Sequence, residues 1–326
     1  MEGWRGRVDD GGDADARRWH QIVRPVQPAS PAGVAVLGFA CDEGVRRNGG
    51  RAGAAQGPAA LRAALSNLPV LDDAPLYDAG DVACRDGDLE QAQARFGERL
   101  AGVLDAGHLA VGLGGGHEIA FASYQGLVRH LGARRPRVAI VNLDAHFDLR
   151  DQPRASSGTP FLQALRHADD IGLPLDYLCL GVSASANTRR LFATAERHGV
   201  RHRRDDELTL STLERRIDEL RDWLHPADHV YLTLCLDVLP GPVAPGVSAP
   251  SARGVPLEVL EPLLDAVAAT GKVALFDVAE LSPPFDRDQA TARVAARLVH
   301  RIAGAVIARR REVPPRRASG RACLNP

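Results

Sequence analysis

The sequence predicts a single α/β domain with three layers (α/β/α), in which a mainly parallel sheet lies between two layers of helices. The first observation is a set of six nearly continuous apolar runs, as expected for strands buried on both faces. The second is that these runs alternate with helical patterns, which is typical of a parallel sheet covered by helices. The third is composition: 326 residues, 45% of them hydrophobic and 25% charged, suffice for one large globular domain.

The predicted elements follow in chain order. The apolar runs predict strands at 33–39, 108–113, 137–143, 176–182, 229–236 and 272–278. Helical periodicity predicts helices at 57–67, 89–105, 118–131, 187–199, 211–224, 256–270 and 287–308. In the last of these, Asp286 and Asp288 stand at the N-terminal end, where acidic groups are favourable.

The two ends of the chain are predicted to lie outside the domain, which we place at residues 33–308. Residues 1–32 are expected to form a loosely ordered N-terminal extension. Residues 309–326 contain six arginines and three prolines. Such a composition is typical of a disordered tail, with a binding arm as the alternative.

Charge and cysteine content argue against several classes of protein. The net charge of −1 lacks the basic excess of a nucleic-acid-binding protein. No apolar run approaches the roughly 20 residues of a membrane helix, and the polar start of the chain lacks the apolar stretch of a signal peptide. The five cysteines show neither a disulfide framework nor a zinc motif. A cytoplasmic location is therefore expected, with no nucleic-acid or membrane partner.

Carboxylate and imidazole side chains follow four of the predicted strands. Ligands of parallel α/β sheets bind outside the carboxyl ends of the strands. The segments found there are Gly-Gly-Gly-His-Glu at 114–118, Asp-Ala-His-Phe-Asp at 144–148, Cys-Leu-Asp at 235–237 and Asp-Val-Ala-Glu at 277–280. The sequence therefore predicts one acidic, imidazole-rich cluster at this edge.

The second segment contains an Asp-x-His-x-Asp pattern of Asp144, His146 and Asp148. If the backbone stays extended there, alternate side chains face one point. Mixed carboxylate and imidazole ligands suit divalent ions such as Mn²⁺. The alternative is a solvated strand end with a hydrogen-bonded histidine.

Three further residues favour the metal site. His117 follows three glycines, which permit close approach of the backbone, although an ordinary strand-to-helix turn also uses glycine. Asp237 ends a buried strand, where a carboxylate needs a hydrogen bond or a metal. Glu280 follows a fourth strand, and its alternative is an acid at the surface near a helix.

These segments resemble the motifs of the ureohydrolases, the arginase and agmatinase superfamily, whose site holds two manganese ions. A Gly-Pro-x-x-Leu-Arg segment at 57–62 is also similar, and the resemblance spans about 33–308. The stretches at 38–48, 156–161 and 243–250 resemble the formimidoylglutamase branch more than arginase. The resemblance implies an arginase-like fold and manganese-dependent hydrolysis of a small molecule, N-formimino-L-glutamate, to L-glutamate and formamide in histidine degradation.

The resemblance also implies roles for individual residues. The residues expected to bind two Mn²⁺ ions are His117, Asp144, His146, Asp148 and Asp237. A hydroxide held by the metals would attack the formimino carbon, and Asp148 would accept its proton. Glu280 would pair with the cationic N–C–N group of the substrate. The superfamily further suggests a homo-oligomer, although no segment of the sequence indicates an interface.

Two positions depart from the superfamily's motifs. Its third motif usually carries two aspartates, but Cys235 occupies the first position here, either as a soft metal ligand or as a buried apolar residue. Ser157 stands where arginases place a histidine that handles protons. This difference argues against arginase and leaves the proton donor to the leaving group unassigned.

The glutamate end of the implied substrate carries two carboxylates, for which arginine is the expected partner. Arg150 is the main candidate, with Arg46, Arg47 and Asn48 as further candidates.

The sequence leaves two alternative functions open. One is another amidino hydrolase, acting on guanidinobutyrate or agmatine, and the other is a non-catalytic relative that serves as a binding protein.

Overall fold

A single parallel sheet organises the molecule. The computed structural model describes residues 3–9, 13–71 and 73–312, and this part of the chain contains nine strands. The strands are β1 (Arg24–Pro25), β2 (Val34–Ala40), β3 (Leu76–Ala83), β4 (Leu109–Gly114), β5 (Val138–Leu143), β6 (Leu175–Val182), β7 (Arg201–Arg204), β8 (His229–Cys235) and β9 (Val273–Ala279). Their order across the sheet is β1-β3-β2-β4-β9-β8-β5-β6-β7, and every neighbouring pair is parallel.

Helices cover both faces of this sheet. They are α1 (Trp19–Ile22), α2 (Glu43–Arg47), α3 (Gly57–Ser66), α4 (Leu89–Asp105), α5 (Ile119–Leu131), α6 (Pro160–Ile171), α7 (Arg189–Arg197), α8 (Leu213–Leu224), α9 (Leu257–Ala269) and α10 (Ala290–Glu312). The core is divided in two, because alternate residues of a strand face opposite sides. In β2, Val34 and Val36 join one apolar cluster while Leu37 and Phe39 join the other. The predicted three-layer α/β/α architecture is confirmed.

The six predicted strands are all present, each within one residue of its predicted bounds. Three strands and one long helix were not predicted. β3 carries Asp78 and Asp81, and β7 consists of Arg-His-Arg-Arg at an edge of the sheet, so neither shows a continuous apolar run. α6 begins at Pro160, which is favourable in a first helical turn, and Phe161, Leu165 and Ala168 keep helical spacing, so the sequence carries a signal that the prediction missed.

The last helix begins later than predicted, at Ala290 rather than at residue 287. Asp288 and Gln289 have positive φ values of 51° and 58°, which break the helical path before that point. Asp286 still caps the helix, because its carboxylate accepts hydrogen bonds from the backbone N–H groups of Thr291 and Ala292 at 2.9 and 3.0 Å. No helix in the described ranges is both long and apolar enough to cross a bilayer.

The predicted ends of the domain need correction. A disordered tail from residue 309 is wrong for its first four residues, because α10 continues to Glu312; residues 313–326 lie outside the described part of the chain. Loose order throughout residues 1–32 is also wrong, since Trp4 and Trp19 are buried in the core and β1 pairs with β3. The division into extension, domain and tail otherwise remains a prediction.

Candidate metal centre

The predicted site residues meet at the carboxyl ends of four adjacent strands in the middle of the sheet. His117 follows β4, Glu280 follows β9, and the segment 144–148 follows β5. Cys235 is the last residue of β8, and Asp237 comes shortly after it. These side chains border a pocket of about 190 Å³. Further residues on its wall are Asn48, Gly49, Gly50, Arg150, Ser157, Asn187, Leu191, Ser248 and Ala249.

His117 is oriented as a metal ligand would be. Its Nδ1 lies 2.9 Å from Asp144 Oδ2 and 3.0 Å from Asp148 Oδ2. Neither approach has hydrogen-bond geometry, so this buried nitrogen has no hydrogen-bond partner. The other ring nitrogen, Nε2, lies 3.0 Å from the hydroxyl of Thr233. A proton on Nε2 donated to Thr233 leaves the Nδ1 lone pair free for a cation.

A second group of ligand atoms shares Asp144 with the first. His146 Nδ1 lies 3.1 Å from Asp237 Oδ2 and 3.5 Å from Asp144 Oδ1. Two sets of donor atoms therefore converge, each within 4.8 Å: His117, Asp144 and Cys235 in one, and Asp144, His146 and Asp237 in the other. Asp144 belongs to both sets, as a bridge between two ions would.

The segment 144–148 reaches this geometry by a route different from the predicted one. β5 ends at Leu143, so the expected extended backbone is wrong; Asp148 instead has a φ of +49°. The side chain of Asn187 holds the bent segment, accepting from Phe147 N at 3.1 Å and donating to the carbonyl of Ala145 at 2.8 Å. Asn187 escaped sequence reasoning because no motif marks it.

Glu280 lies in the site and not at the surface. It is 4% exposed, and its φ of +72° is unusual for a glutamate. Oε1 accepts a hydrogen bond from His117 N at 2.8 Å, whereas Oε2 has no partner. Burial, together with the nearby carboxylates of Glu118 and Asp237, raises the pKa of Glu280 to about 8. An unpaired buried oxygen here suits a cationic group of a ligand.

The electrostatics of the cluster favour a bound cation. Burial and the neighbouring Asp144 raise the pKa of Asp148 to about 6, and the same two causes raise the pKa of Asp237. Burial opposes ionisation of Asp144, but the adjacent imidazoles of His117 and His146 outweigh it and hold its pKa below the usual range. Burial and the surrounding carboxylates raise the pKa of the Cys235 thiol. Carboxylates this crowded need protons or a metal to offset their repulsion.

The three glycines before His117 permit a close backbone approach. A Cβ atom on Gly115 would lie 1.8 Å from the carbonyl oxygen of Cys41, and one on Gly116 would lie 2.1 Å from Glu118 Oε2. The N–H groups of Gly115 and Gly116 donate to Phe39 and Cys41 carbonyls, both at 2.9 Å. The loop that carries His117 is thus fixed against the end of β2.

The candidate arginines differ in how they are engaged. Arg150 lines the pocket and makes no ion pair with any described residue. Arg47 bonds Glu43 and Glu90 at 3.0 and 2.7 Å, so it is occupied by structural contacts, and Arg46 pairs with Asp42 at 3.1 Å. Asn48 lines the pocket and donates to the Ser157 hydroxyl at 3.2 Å.

Comparison with known proteins agrees with this geometry. A model of the arginase family matches residues 32–304. The chain belongs to the arginase family. Formimidoylglutamase of Ralstonia nicotianae is 56% identical over 308 residues, which cover 93% of this chain and 95% of that protein. Within the arginase family, this chain is therefore similar to proteins with that name, as the sequence motifs predict.

Solved structures extend the likeness. Formimidoylglutamase from Bacillus subtilis has a TM-score of 0.81 at 21% identity, covers 93% of this chain and 96% of its own, and supports the arginase-like fold. Trypanosoma cruzi formiminoglutamase with Mn²⁺ has a TM-score of 0.73 at 26% identity, over 84% of this chain and 93% of its own. As an arginase-family member close to these relatives, the chain is an amidino hydrolase that acts on C–N bonds.

Proposed function

We propose that this arginase-family protein hydrolyses N-formimino-L-glutamate to L-glutamate and formamide in histidine degradation, a proposal supported by its 56% identity to a formimidoylglutamase. One structural observation carries the proposal. A single pocket combines an unpaired carboxylate oxygen of Glu280 with Arg150, which has no ion-pair partner among the described residues. The first suits a formimino cation and the second a carboxylate, and the proposed substrate has both groups.

Two Mn²⁺ ions fit the donor atoms of this site. The donors are mainly carboxylate and imidazole, and the unpaired Nδ1 of His117 faces two carboxylates, as expected where a cation belongs. His117, Asp144, Asp148 and Cys235 would hold one ion, and Asp144, His146 and Asp237 the other. When bound, such ions make water a nucleophile at neutral pH.

The protein's own groups orient the substrate and move its protons. Glu280 Oε2 accepts a charge-assisted hydrogen bond from the cationic N–C–N group of the substrate. The other carboxylate oxygen, Oε1, accepts a hydrogen bond from His117 N, which holds the side chain in place. Asp148 is placed to accept a proton during attack, since its carboxylate lies at the centre of the site, 3.0 Å from His117 Nδ1. Arg150, which is exposed, receives a carboxylate in the pocket that Asn48 and Ser157 also line.

The test is an assay for formamide and glutamate release by the full-length protein. The metal is removed with a chelator, Mn²⁺ is added back, and N-formimino-L-glutamate is compared with agmatine, guanidinobutyrate and arginine at equal concentrations. We expect activity to return with Mn²⁺ and to favour N-formimino-L-glutamate, because it offers Arg150 two carboxylates and no ammonium group. Guanidinobutyrate has one carboxylate, arginine has an ammonium group beside its carboxylate, and agmatine has no carboxylate.

The outcomes separate the remaining functions. Faster hydrolysis of guanidinobutyrate or agmatine than of N-formimino-L-glutamate would show that the protein is an amidino hydrolase with a different substrate. If the protein binds Mn²⁺ but hydrolyses none of these compounds, the proposed catalytic role of the site is contradicted. The predicted cytoplasmic location and homo-oligomeric state stay predictions, and light scattering of the purified protein tests the second.

A further inference from the structure

A second cavity lies at the opposite edge of the sheet from the metal centre. Its volume is about 520 Å³, within the usual range for small-molecule sites. Residues at the amino ends of the strands line it, among them His108, His229 and Lys272, together with the end of α10. Strands of six or seven residues separate the two cavities by about 20 Å.

The cavity carries positive charge that the described residues do not neutralise. Lys272, the only lysine of the chain, and Arg310 and Arg311 all line it, and none forms an ion pair in the described part of the chain. Lys272 Nζ donates to the carbonyls of Leu224 and His225 at 3.0 and 2.6 Å, and Arg310 Nη2 donates to that of Val273 at 3.1 Å. Other donors of both side chains remain available.

The acidic group on the wall, Asp228, offsets at most one of these three cations. Asp228 is exposed, and its Oδ2 accepts a hydrogen bond from Arg137 N at 2.8 Å. Burial lowers the pKa of Arg310, so its charge is held there at a cost in solvation. Elsewhere the protein pairs its buried arginines, as Arg62 with Asp78 shows. An anion in the cavity would supply the missing partner.

His108 adds a second, independent observation. It is 1% exposed and lines the cavity, and neither of its ring nitrogens has a hydrogen-bond partner. Burial lowers its pKa, which leaves a neutral ring with one free donor and one free acceptor. Buried polar groups are rarely left unsatisfied, so the ring is expected to have a polar partner that the described residues do not provide.

We propose that this cavity binds a small organic carboxylate. Lys272 and Arg310 receive the carboxylate, while the apolar walls, which include Pro75, Leu104 and Ile307, enclose the carbon skeleton. Inorganic phosphate would leave those walls uncovered. The chain's own segment 313–326 follows the end of α10, but its three arginines would meet a cavity that is already positive. The site is separate from the catalytic pocket and does not depend on the proposed function.

Calorimetric titration of the full-length protein with benzoate tests the proposal. We expect saturable binding that weakens about tenfold or more in Lys272→Gln and in Arg310→Gln, since each variant loses a charge-assisted hydrogen bond. Arg309→Gln is the matched control, because Arg309 adjoins Arg310 but donates to Ala269 and Glu312 and does not line the cavity. Arg150→Ala controls for binding in the catalytic pocket, and we expect it to leave the affinity unchanged.

A spectroscopic readout locates the probe independently of affinity. In protein with ¹⁵N-labelled histidines, benzoate should shift one imidazole signal that is absent from His108→Gln. Three results would overturn the proposal: no binding of benzoate, equal weakening by Arg309→Gln, or loss of binding in Arg150→Ala. Equal affinity for inorganic phosphate would show a site for anions in general and would overturn the requirement for a carbon skeleton.

Discussion

Thr233 controls how His117 presents its ring to the metal. The hydroxyl of Thr233 lies 3.0 Å from His117 Nε2, and Thr233 is paired with the buried Asp277 across β8 and β9. Ser123 and Tyr231 hold that carboxylate from the other side, each at 2.6 Å. The ring therefore contacts a buried hydroxyl through Nε2, and such outer contacts fix the tautomer of a ligating histidine.

We predict that Thr233→Val weakens Mn²⁺ binding by roughly 10- to 100-fold, because valine keeps the shape and removes the hydroxyl. Electron paramagnetic resonance of free Mn²⁺ during titration measures the change. Thr194→Val is the control, since Thr194 is also buried but donates to its own helix at Arg190. Equal affinity in wild type and Thr233→Val would mean that other contacts orient the ring.

Cys235 separates two interpretations that the sequence leaves open. Its Sγ lies within 4.8 Å of ligand atoms of His117 and Asp144, which favours a ligand over a purely apolar residue. We predict that Cys235→Ala retains less than two Mn²⁺ per chain after dialysis, measured by elemental analysis, while Cys84→Ala retains the wild-type amount. Unchanged metal content in Cys235→Ala would support the apolar interpretation.

Arg150 is the residue whose loss should affect substrate binding without affecting the metal. We predict that Arg150→Ala raises KM for N-formimino-L-glutamate by roughly 10- to 100-fold, the effect of one charge-assisted hydrogen bond. Steady-state kinetics and metal analysis on the same sample measure both quantities. Arg154→Ala, also exposed and in the same loop but outside the pocket lining, serves as the control. An unchanged KM would remove Arg150 from the substrate pocket.

Among the secondary-structure elements, α3 and β3 are joined by a buried ion pair. Arg62 Nε lies 2.8 Å from Asp78 Oδ2, and Trp4 Nε1 donates to the same oxygen at 2.6 Å. Arg62 belongs to the Gly-Pro-x-x-Leu-Arg segment that resembles the ureohydrolases. Its contacts show a structural role, since it ties the beginning of the chain and α3 to a strand near the sheet edge.

We predict that Asp78→Asn lowers the free energy of unfolding at pH 7 by about 3 kcal/mol. This value is the lower end of the range for breaking a buried ion pair, and we choose it because Asp81 still contacts Arg62 in the variant. Burial opposes ionisation of Asp78, but Arg62 outweighs it and lowers its pKa. The contribution is therefore present above about pH 4 and is lost as pH falls through the folded-state pKa. Urea unfolding at pH 7 and at pH 3.5 measures it.

The control for this pair is Asp73→Asn, which changes an exposed acid near the start of the same strand. Its unfolding free energy should match wild type at both pH values. If Asp78→Asn differs from wild type by the same amount at pH 3.5 as at pH 7, the ion pair does not explain the loss.

The elements that could be predicted are those whose burial shows in the sequence. β2, β4, β5, β6, β8 and β9 are apolar on both faces, so their bounds follow from composition alone. β3 and β7 lie towards the edges, and their polar side chains are stabilised by partners distant in sequence, such as Arg62 for Asp78. Tertiary contacts of that kind are not visible in a local pattern.

For the whole molecule, the metal ligands connect three different strands. The proposed Mn²⁺ site exists only in the folded chain, so the metal should stabilise the fold by about 2.7 kcal/mol at 100 times its dissociation constant. We predict a rise of several degrees in the melting temperature, measured by calorimetry with and without Mn²⁺. Asp237→Asn should show a smaller rise, and an equal rise would place the stabilising metal elsewhere.

The site as a whole was predictable to the extent that topology determines it. Ligands of a parallel sheet bind at the carboxyl ends of its strands. This rule places His117, Asp237 and Glu280 together once the parallel sheet is recognised. The bent backbone at Asp148 and the support from Thr233 and Asn187 depend on packing across the sheet. The engagement of Arg47 by Glu90 likewise joins distant segments, so the sequence offers no sign of it.

The position of β9 has a consequence for synthesis of the chain. This strand is the last along the described part of the chain, yet it lies between β4 and β8 and joins the two halves of the sheet. A chain still growing on the ribosome can form each half, but His117 and Asp144 stay unconnected until β9 inserts. Because long-range pairing of this kind is slow, the catalytic centre matures at the end of folding. Prematurely terminated chains that lack β9 should therefore be inactive and never partly active.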